Sequence, residues 1–171
     1  MGIVALGFGF GGLGVFAAVL HMIYHAFVKS ALFLSAGNIF LKYSSTKIDK
    51  VKGMLAALPV TSIIFLAGVF AITGTPPFGI FLTKLSILSA GMKAYPLASA
   101  AALFLMALLF IGFFKHATAM VFGEKPEGVK TGEGSAWLIL PPLALVTVAL
   151  YLSFSLPPFL CTLVNTVATI Y

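Results

Sequence analysis

The chain has 171 residues, of which 61% are hydrophobic and only 8% are Asp, Glu, Lys or Arg. Soluble domains carry about 25% charged residues, so this composition excludes a soluble enzyme domain and a disordered segment and predicts an integral membrane protein. The net charge of +6 comes from lysines without any arginine and lies mostly in loops, which gives little support to nucleic-acid binding. The single cysteine, Cys161, offers neither an internal disulfide nor a metal-ligand spacing.

Long apolar stretches predict several membrane-spanning helices. The first stretch, residues 1–41, is too long for one crossing of a hydrocarbon layer about 30 Å thick. A cluster of glycines within residues 7–14 is the natural place to divide it. The predicted spans, which together form one transmembrane domain over residues 1–171, are 1–8 (short or partial), 13–41, 54–91, 95–122 and 135–157.

The third of these spans contains a sequence that an ordinary helix cannot accommodate. Residues Thr73–Gly79 read Thr-Gly-Thr-Pro-Pro-Phe-Gly, and two consecutive prolines remove two backbone donors. We therefore predict that this helix is broken at Thr73–Gly79, near the middle of the membrane. The sequence indicates an all-α fold, a polytopic transmembrane helix bundle with one discontinuous helix.

Lysines in the connecting segments predict the orientation of the bundle. Four lysines lie in residues 42–52 and two more in residues 123–134, whereas Lys93 lies alone in the connection between them. Cytoplasmic loops carry an excess of lysine and arginine. We therefore expect loops 42–52 and 123–134 to be cytoplasmic and the C-terminus to lie outside.

Three basic side chains inside the second span are spaced four residues apart. His21, His25 and Lys29 share one helix face, because four residues turn a helix only about 40° past a full turn, and they predict a polar stripe about 12 Å long. A charge at the centre of a membrane helix costs about 2.5–3.5 kcal/mol, and imidazole titrates near neutrality. The stripe therefore favours proton transfer through water. The alternative is a pair of histidines bonded to neighbouring helices, with Lys29 extending to an interface.

Further basic groups lie in the later spans. Lys84 follows the second proline by seven residues, and broken helices are tolerated in a membrane only beside protein or water. Lys84 is therefore a candidate for an ion pathway, although it could instead reach the outer interface. Lys115 and His116 lie about two turns from the end of their span, and we interpret both as extending to the cytoplasmic interface.

Two other patterns do not support a bound group. His21 and His25 have the spacing of two zinc ligands, but no Glu follows the first histidine and no third ligand is evident. Residues 7–12 match G-x-G-x-x-G, yet no βαβ unit with an acidic residue follows. We therefore predict no metal site, no cofactor and no catalytic centre in this chain.

Two segments resemble one known family. Residues 20–38, with His21, His25 and Lys29, resemble the H-x-x-x-H-A-x-x-K segment of the antiporter-like subunits of respiratory complex I and its relatives. Residues 74–84 resemble the broken helix of that family, G-x-P-P-x-x-x-F-x-x-K/E. The GTPPFG form is most similar to the large membrane subunit of membrane-bound nickel–iron hydrogenases of the formate hydrogenlyase kind. Multisubunit cation/proton antiporters carry similar subunits.

The resemblance implies an architecture and four site residues. The family is built of two inverted five-helix repeats, and this chain matches most of the second antiporter-like repeat plus a final helix. The first repeat is not matched, which implies a split gene product or a truncated chain that does not conduct ions alone. By the resemblance, His21, His25 and Lys29 belong to the polar axis of one helix. Lys84 corresponds to the Lys or Glu of the broken helix.

The resemblance also implies a function in ion and electron transport. We expect a plasma-membrane subunit that moves protons, or sodium ions, while an oxidoreductase complex does redox chemistry. The expected partners are other membrane subunits, including a chain that supplies the missing N-terminal repeat, and peripheral redox subunits of a hydrogenase or of an NADH- or ferredoxin-linked complex. The alternatives are a subunit of a multisubunit cation/proton antiporter and a structural membrane fragment that conducts nothing.

Overall fold

The computed structural model describes residues 1–170, and within them the chain forms α-helices joined by short connections, without strands. This confirms the predicted all-α fold. The helices are α1 (Gly2–Phe10), α2 (Leu13–Tyr43), α3 (Met54–Ala57), α4 (Pro59–Thr73), α5 (Gly79–Ala94), α6 (Pro96–Phe122), α7 (Ala136–Phe154) and α8 (Pro158–Ile170). Of the helices in this part of the chain, α2, α6 and α7 are long and apolar enough to cross a membrane, and α4 is apolar but shorter.

Helix α2 lies at the centre of the bundle. It packs against α1, α4, α5, α7 and α8, and its buried residues Leu20, Tyr24 and Val28 form the main core with residues of α4 and α7. Helices in lipid associate by close van der Waals packing, which small residues permit. At the contact of α1 with α2, a Cβ atom added to Gly7 would lie 2.7 Å from the Cβ of Ala18. Glycine at this position therefore allows the two helices to touch.

The predicted break in the third span is confirmed. Helix α4 ends at Thr73 and α5 begins at Gly79, so both prolines lie in the connection between them. Gly74 ends α4 with φ +82°, a left-handed conformation that favours glycine. The two halves of the helix are held by their neighbours, because α2 and α7 pack against both α4 and α5.

The C-terminal part of the chain differs from the prediction. The span predicted for residues 135–157 corresponds to α7, which ends at Phe154. A further helix, α8, then begins at Pro158. Proline suits the first position of a helix, where its missing N–H has no intrahelical partner. The sequence predicts that Pro157 and Pro158 mark the end of a span. In the structure, Pro158 is instead the first residue of a new helix.

The loops 42–52 and 123–134 lie at the same end of the bundle. The Nζ atom of Lys42 donates a hydrogen bond to the carbonyl oxygen of Gly132 at 2.6 Å. The backbone N–H of Gly132 donates to the carbonyl oxygen of Ala57 at 2.9 Å. Glu133 accepts hydrogen bonds from the backbone N–H and the hydroxyl of Thr61, at 2.9 and 2.7 Å. The loop 123–134 is thus fastened to the start of α4 and to the end of α2.

Candidate functional site

Lys84 lies on α5, and its side chain returns to the break in the helix. Its Nζ atom donates hydrogen bonds to the carbonyl oxygens of Ile72, at 3.1 Å, and Thr73, at 3.0 Å. These carbonyls belong to the last turn of α4 and have no intrahelical partner. A cation is favourable at this position because the C-terminus of a helix carries a partial negative charge. The Lys84 side chain is half-buried at the break. Its hydrogen bonds link α5 to the end of α4.

His21 on α2 is buried and bonded to α5. Its Nδ1 atom lies 2.9 Å from the Oγ1 atom of Thr83, and the Thr83 hydroxyl also lies 3.0 Å from the carbonyl oxygen of Ile80, to which it donates. A hydroxyl has one proton to give, so toward His21 it acts as the acceptor. This hydrogen-bond geometry favours the neutral tautomer of His21 that carries its ring proton on Nδ1. Its Nε2 atom is then left as the basic nitrogen.

His25 lies one helical turn further along α2. Its ring centroid is 5.8 Å from that of His21, and the two rings are tilted by 30°. Both histidines line a cavity of about 530 Å³ together with Lys84. We name this the His21 cavity. Its remaining walls are formed by α1, α4 and α6. The structure thus brings three of the four sequence-predicted site residues together around one space between helices.

Lys29, the fourth predicted residue, lies in the neighbouring cavity. This cavity has a volume of about 600 Å³ and contains Lys29 and His116 among otherwise apolar side chains. We name it the Lys29 cavity. The ammonium group of Lys29 lies 5.5 Å from the centre of the Phe33 ring, a distance at which a cation is attracted to the ring face. The sequence-predicted stripe is therefore divided between two cavities.

Sequence reasoning does not assign His116 to the site. The sequence is interpreted as placing it at the cytoplasmic interface, which stays a prediction. In the structure His116 is exposed and lines the same cavity as Lys29. The apolar sequence of α6 does not indicate which of its faces is turned toward α4 and α5. The sequence does show a titratable residue in each of two predicted spans, Lys29 in one and His116 in the other. It does not show that these two spans are neighbours.

A second group of contacts, also missed from the sequence, fixes the start of α5. The backbone N–H of Gly79 donates to the Oγ atom of Ser153 at 2.6 Å, and the hydroxyl of Tyr24 donates to the carbonyl oxygen of Leu152 at 2.9 Å. A Cβ atom at Gly79 would lie 2.6 Å from the Tyr24 ring. These contacts join α2, α5 and α7 directly beside the break. They position the segment that carries Thr83 and Lys84.

Within residues 1–170, no group of three or more His, Cys, Asp or Glu side chains could hold a metal ion. The pair formed by His21 and His25 has no third ligand among these residues. That this chain binds no metal and no cofactor stays a prediction.

The fold and the site together define a polytopic membrane protein whose interior carries titratable groups around a broken helix. Residues 1–120 match the family model described as the NADH:quinone oxidoreductase/Mrp antiporter transmembrane family. The chain belongs to this family, and the resemblance inferred from the sequence is confirmed.

The chain is similar in sequence to components of different complexes. A Hydrogenase-4 component F homolog of Methylacidiphilum infernorum is 39% identical over 101 residues, which cover 58% of this chain and 21% of that protein. A Na(+)/H(+) antiporter subunit of Alkalihalophilus pseudofirmus is 30% identical over 162 residues, which cover 85% of this chain and 20% of that protein. The chain therefore spans about a fifth of the length of these relatives.

A solved structure has the same arrangement of helices. The Mrp complex from Dietzia sp. DQ12-45-1b contains a chain that matches with a TM-score of 0.79 and 25% sequence identity. The match covers 97% of this chain and 39% of the other. The likeness therefore extends over nearly all of this chain. It confirms the predicted fold class, an antiporter-like transmembrane helix bundle.

Proposed function

We propose that this chain is the proton-transferring part of an antiporter-like membrane subunit, with His21, His25, Lys29 and Lys84 as its proton pathway. The assembly to which we assign it is a redox-driven, ion-pumping complex, either a membrane-bound hydrogenase or a complex I-like oxidoreductase linked to NADH or ferredoxin. Sodium is the alternative cation. In this assignment the redox chemistry takes place in partner subunits.

The observation that carries the proposal is the meeting of His21, His25 and Lys84 around one cavity beside the break. Ionisable side chains are expensive inside a membrane and mark ion and proton pathways. Irregular backbone at this depth is tolerated where it lines a cavity or is buried in protein. A helix bundle with a purely structural role would gain no stability from ionisable residues inside the membrane.

The geometry supports a sequence of proton transfers through this cavity. A protonated Lys84 is held by the carbonyl oxygens of Ile72 and Thr73. When it releases its proton to water, the Nε2 atom of His21 is a suitable acceptor. The resulting imidazolium keeps its Nδ1 hydrogen bond to Thr83. A centroid separation of 5.8 Å between the His21 and His25 rings leaves transfer between them to an intervening water.

The proposed location is the plasma membrane, with loops 42–52 and 123–134 in the cytoplasm. The excess of lysine in both loops supports this orientation, and the bond between Lys42 and Gly132 supports their being on one side. The proposed partners are other membrane subunits, including one that supplies an N-terminal repeat, together with peripheral redox subunits. The relatives support a multisubunit assembly because their names describe components of such assemblies.

A second candidate is a subunit of a multisubunit cation/proton antiporter. The antiporter relative supports it, since that match covers 85% of this chain. The two candidates differ in their partners. Purification of the intact complex in mild detergent, followed by mass spectrometry, separates them. Nickel–iron hydrogenase or quinone-reducing subunits indicate a redox-driven complex, whereas antiporter subunits alone indicate the second candidate.

The test of the proposed pathway is Lys84→Ala in the complete complex, reconstituted in vesicles. We expect driven ion translocation to fall by at least about 100-fold, because positioned proton-transfer groups contribute about 10²–10⁴-fold. Lys93→Ala is the matched control, since Lys93 is an exposed lysine at the end of the same helix. Co-purification of the subunits establishes that both variants assemble. Undiminished translocation in assembled Lys84→Ala would instead support the structural, non-conducting role.

A further inference from the structure

The Lys29 cavity is an open groove on the outer surface of the bundle. Helix α4 packs against both α2 and α6 and forms the floor of the groove between them. The walls come from residues 29–36 of α2 and residues 108–120 of α6. Lys29, Phe33 and His116 line these walls and are exposed. Within residues 1–170, this side of α2 is therefore left uncovered.

Lys29 lies near the middle of the membrane. Helix α2 is long and apolar enough to cross it, and Lys29 is one residue from the midpoint of this helix, which runs from Leu13 to Tyr43. A distance of about 21 Å along the helix axis separates Lys29 from Tyr43. The four-carbon stem of a lysine is too short to cover that distance. The ammonium group of Lys29 therefore stays at the depth of the hydrocarbon core.

The chain itself does not place an opposite charge at this depth. Among residues 1–170, the ammonium group of Lys29 lies 5.5 Å from the centre of the Phe33 ring and makes no ion pair. Charged side chains inside a membrane almost always face the interior of a bundle and pair with other groups. The exposed Lys29 therefore marks an interface within a larger assembly. The four acidic residues of the chain all lie in its two lysine-bearing loops: Asp49, Glu124, Glu127 and Glu133.

Few partners can bring a carboxylate to this depth. The phosphate groups of lipids lie at the membrane surface, about 15 Å from the centre of the hydrocarbon core, and peripheral subunits do not enter that core. A second copy of this chain has no acidic residue in its predicted spans. Lipid-exposed backbone within the core of a helical membrane protein is itself helical. The carboxylate must therefore lie on a transmembrane helix of a different subunit.

The shape of the groove suits such a helix. The groove follows α6 from Leu108 to Met120, which is about 18 Å or three helical turns. Ala36, in the α2 wall, is small and exposed, and small residues let helices approach one another closely. At the next residue, Gly37, an added Cβ atom would meet nothing within 4 Å. Apart from Lys29 and His116 the walls are apolar, so the complementary surface is an apolar helix with few polar side chains.

We propose that the Lys29 cavity is the docking site of a transmembrane helix from another membrane subunit, and that this helix carries an Asp or Glu near its middle that pairs with Lys29. The inference extends the proposed function and rests on it for the place of the chain in a multisubunit membrane complex. Charge complementarity of this kind fixes the register of two partners. The pair would therefore set the depth at which the partner helix lies against α2.

Photo-cross-linking in the complete complex, in its native membrane, identifies the partner helix. Phe33→p-benzoylphenylalanine puts a photoreactive group in the groove one turn from Lys29, and Phe33 is 67% exposed. The matched control is Phe104→p-benzoylphenylalanine, because Phe104 is 65% exposed on α6 and lies outside both cavities. We expect position 33 alone to capture a transmembrane peptide of another subunit with an Asp or Glu within about two turns, or seven residues, of the attachment point. Capture of lipid only, or of a transmembrane peptide without an acidic residue, would overturn the proposal.

Exchange of the two charges tests the ion pair. Lys29→Glu should lower the amount of the cross-linked subunit that co-purifies at least about tenfold, since like charges at an interface repel. Converting the identified acidic residue to Lys in the same complex should restore it. Lys93→Glu is the matched control, because it makes the same change at an exposed lysine outside the groove. Lys29→Met, which removes the charge but keeps an unbranched side chain, should also lower co-purification and serves if Lys29→Glu does not insert.

Co-purification by the Lys29 variants equal to that of Lys93→Glu would overturn the ion pair, as would a loss that the exchanged pair does not recover. The proposed function is tested by a different measurement, the driven translocation of Lys84→Ala. If that variant loses translocation while the Lys29 variants keep the partner, the proton pathway stands without this interface. If the exchanged pair assembles and Lys84→Ala translocates normally, the interface stands without the pathway.

Discussion

The ammonium group of Lys84 on α5 lies 3.1 Å from the carbonyl oxygen of Ile72 on α4. The same Ile72 lines both the His21 cavity and the Lys29 cavity. One residue thus binds the proposed proton carrier through its backbone and contributes to the walls of both cavities. This connection exists only because the helix is broken, since an intact helix would use the Ile72 carbonyl for its own hydrogen bond.

Gly74 is expected to be essential for the position of Lys84. A Cβ atom there would lie 2.9 Å from the Cδ and 3.1 Å from the Nζ of Lys84. Its left-handed backbone, at φ +82°, would also cost a side-chain-bearing residue about 1–2 kcal/mol. Gly74→Ala should therefore lower both the thermal stability of the complex and its driven translocation, measured on the same purified sample.

Gly112→Ala is the control for that experiment, because a Cβ atom at this position on α6 meets nothing within 4 Å. We expect it to preserve translocation and to leave stability unchanged or slightly higher, as alanine favours helix over glycine by about 1 kcal/mol. Wild-type translocation by Gly74→Ala would show that Lys84 acts without its contacts to the end of α4.

Thr83 is expected to act as a positioning residue for His21. With its hydroxyl donating to Ile80, Thr83 accepts the Nδ1 proton of His21, which leaves Nε2 as the basic nitrogen. Thr83→Val keeps the shape of the side chain but removes the acceptor, so either tautomer can form. Driven translocation should fall and Thr83→Ser should restore it. The readout is the NMR signal of 15N-labelled histidine, which reports the tautomer directly. An unchanged tautomer in Thr83→Val would remove this role.

The break and the four site residues are predictable because their signals are local. The prolines at 76–77 lie between two glycines and fall at a break, whereas Pro141 and Pro142 lie within α7. The spacing of His21, His25 and Lys29 sets their order along α2. Helix α8 is not predicted because the prolines at 157–158 indicate the end of a span, whereas Pro158 starts a helix. A proline by itself does not show whether a helix ends before it or begins with it.

The division of the site could not be derived from spacing. Eight residues separate His21 from Lys29, so the second side chain is rotated by about 80° from the first. Whether that rotation leaves both in one cavity depends on the packing of α4 and α6, which contribute Ile72 and Leu109 to both cavities. The inclusion of His116 depends on the same packing. Apolar helices such as α6 carry little periodicity from which to infer the inner face.

Glu133 is expected to stabilise the bundle without taking part in translocation. Its carboxylate accepts hydrogen bonds from the N–H and hydroxyl of Thr61, in the first turn of α4. Loss of a cap of this kind costs about 0.5–2 kcal/mol, and a negative charge at a helix N-terminus is favourable. Glu133→Ala should therefore lower the thermal midpoint of the complex while its translocation at low temperature persists.

The control is Glu127→Ala, since Glu127 is exposed in the same loop and loses the same charge. If both variants shift the midpoint equally, the effect comes from net charge and not from the cap. A loss of translocation in Glu133→Ala at temperatures where the complex remains folded would place this residue in the pathway and contradict the expectation.

The orientation of the bundle is expected to place residues 47 and 127 on the cytoplasmic side and residue 93 outside. The three native side chains, Lys47, Glu127 and Lys93, are exposed, and Cys161 is the single cysteine of the chain. In a Cys161→Ser background, Lys47→Cys and Glu127→Cys should react with a membrane-impermeant maleimide only in inside-out vesicles. Lys93→Cys should react only in right-side-out vesicles. The complete reverse pattern would overturn the positive-inside assignment but keep the fold. Reaction of positions 47 and 127 from opposite sides would contradict the contact between Lys42 and Gly132, and with it the packing of the loop 123–134.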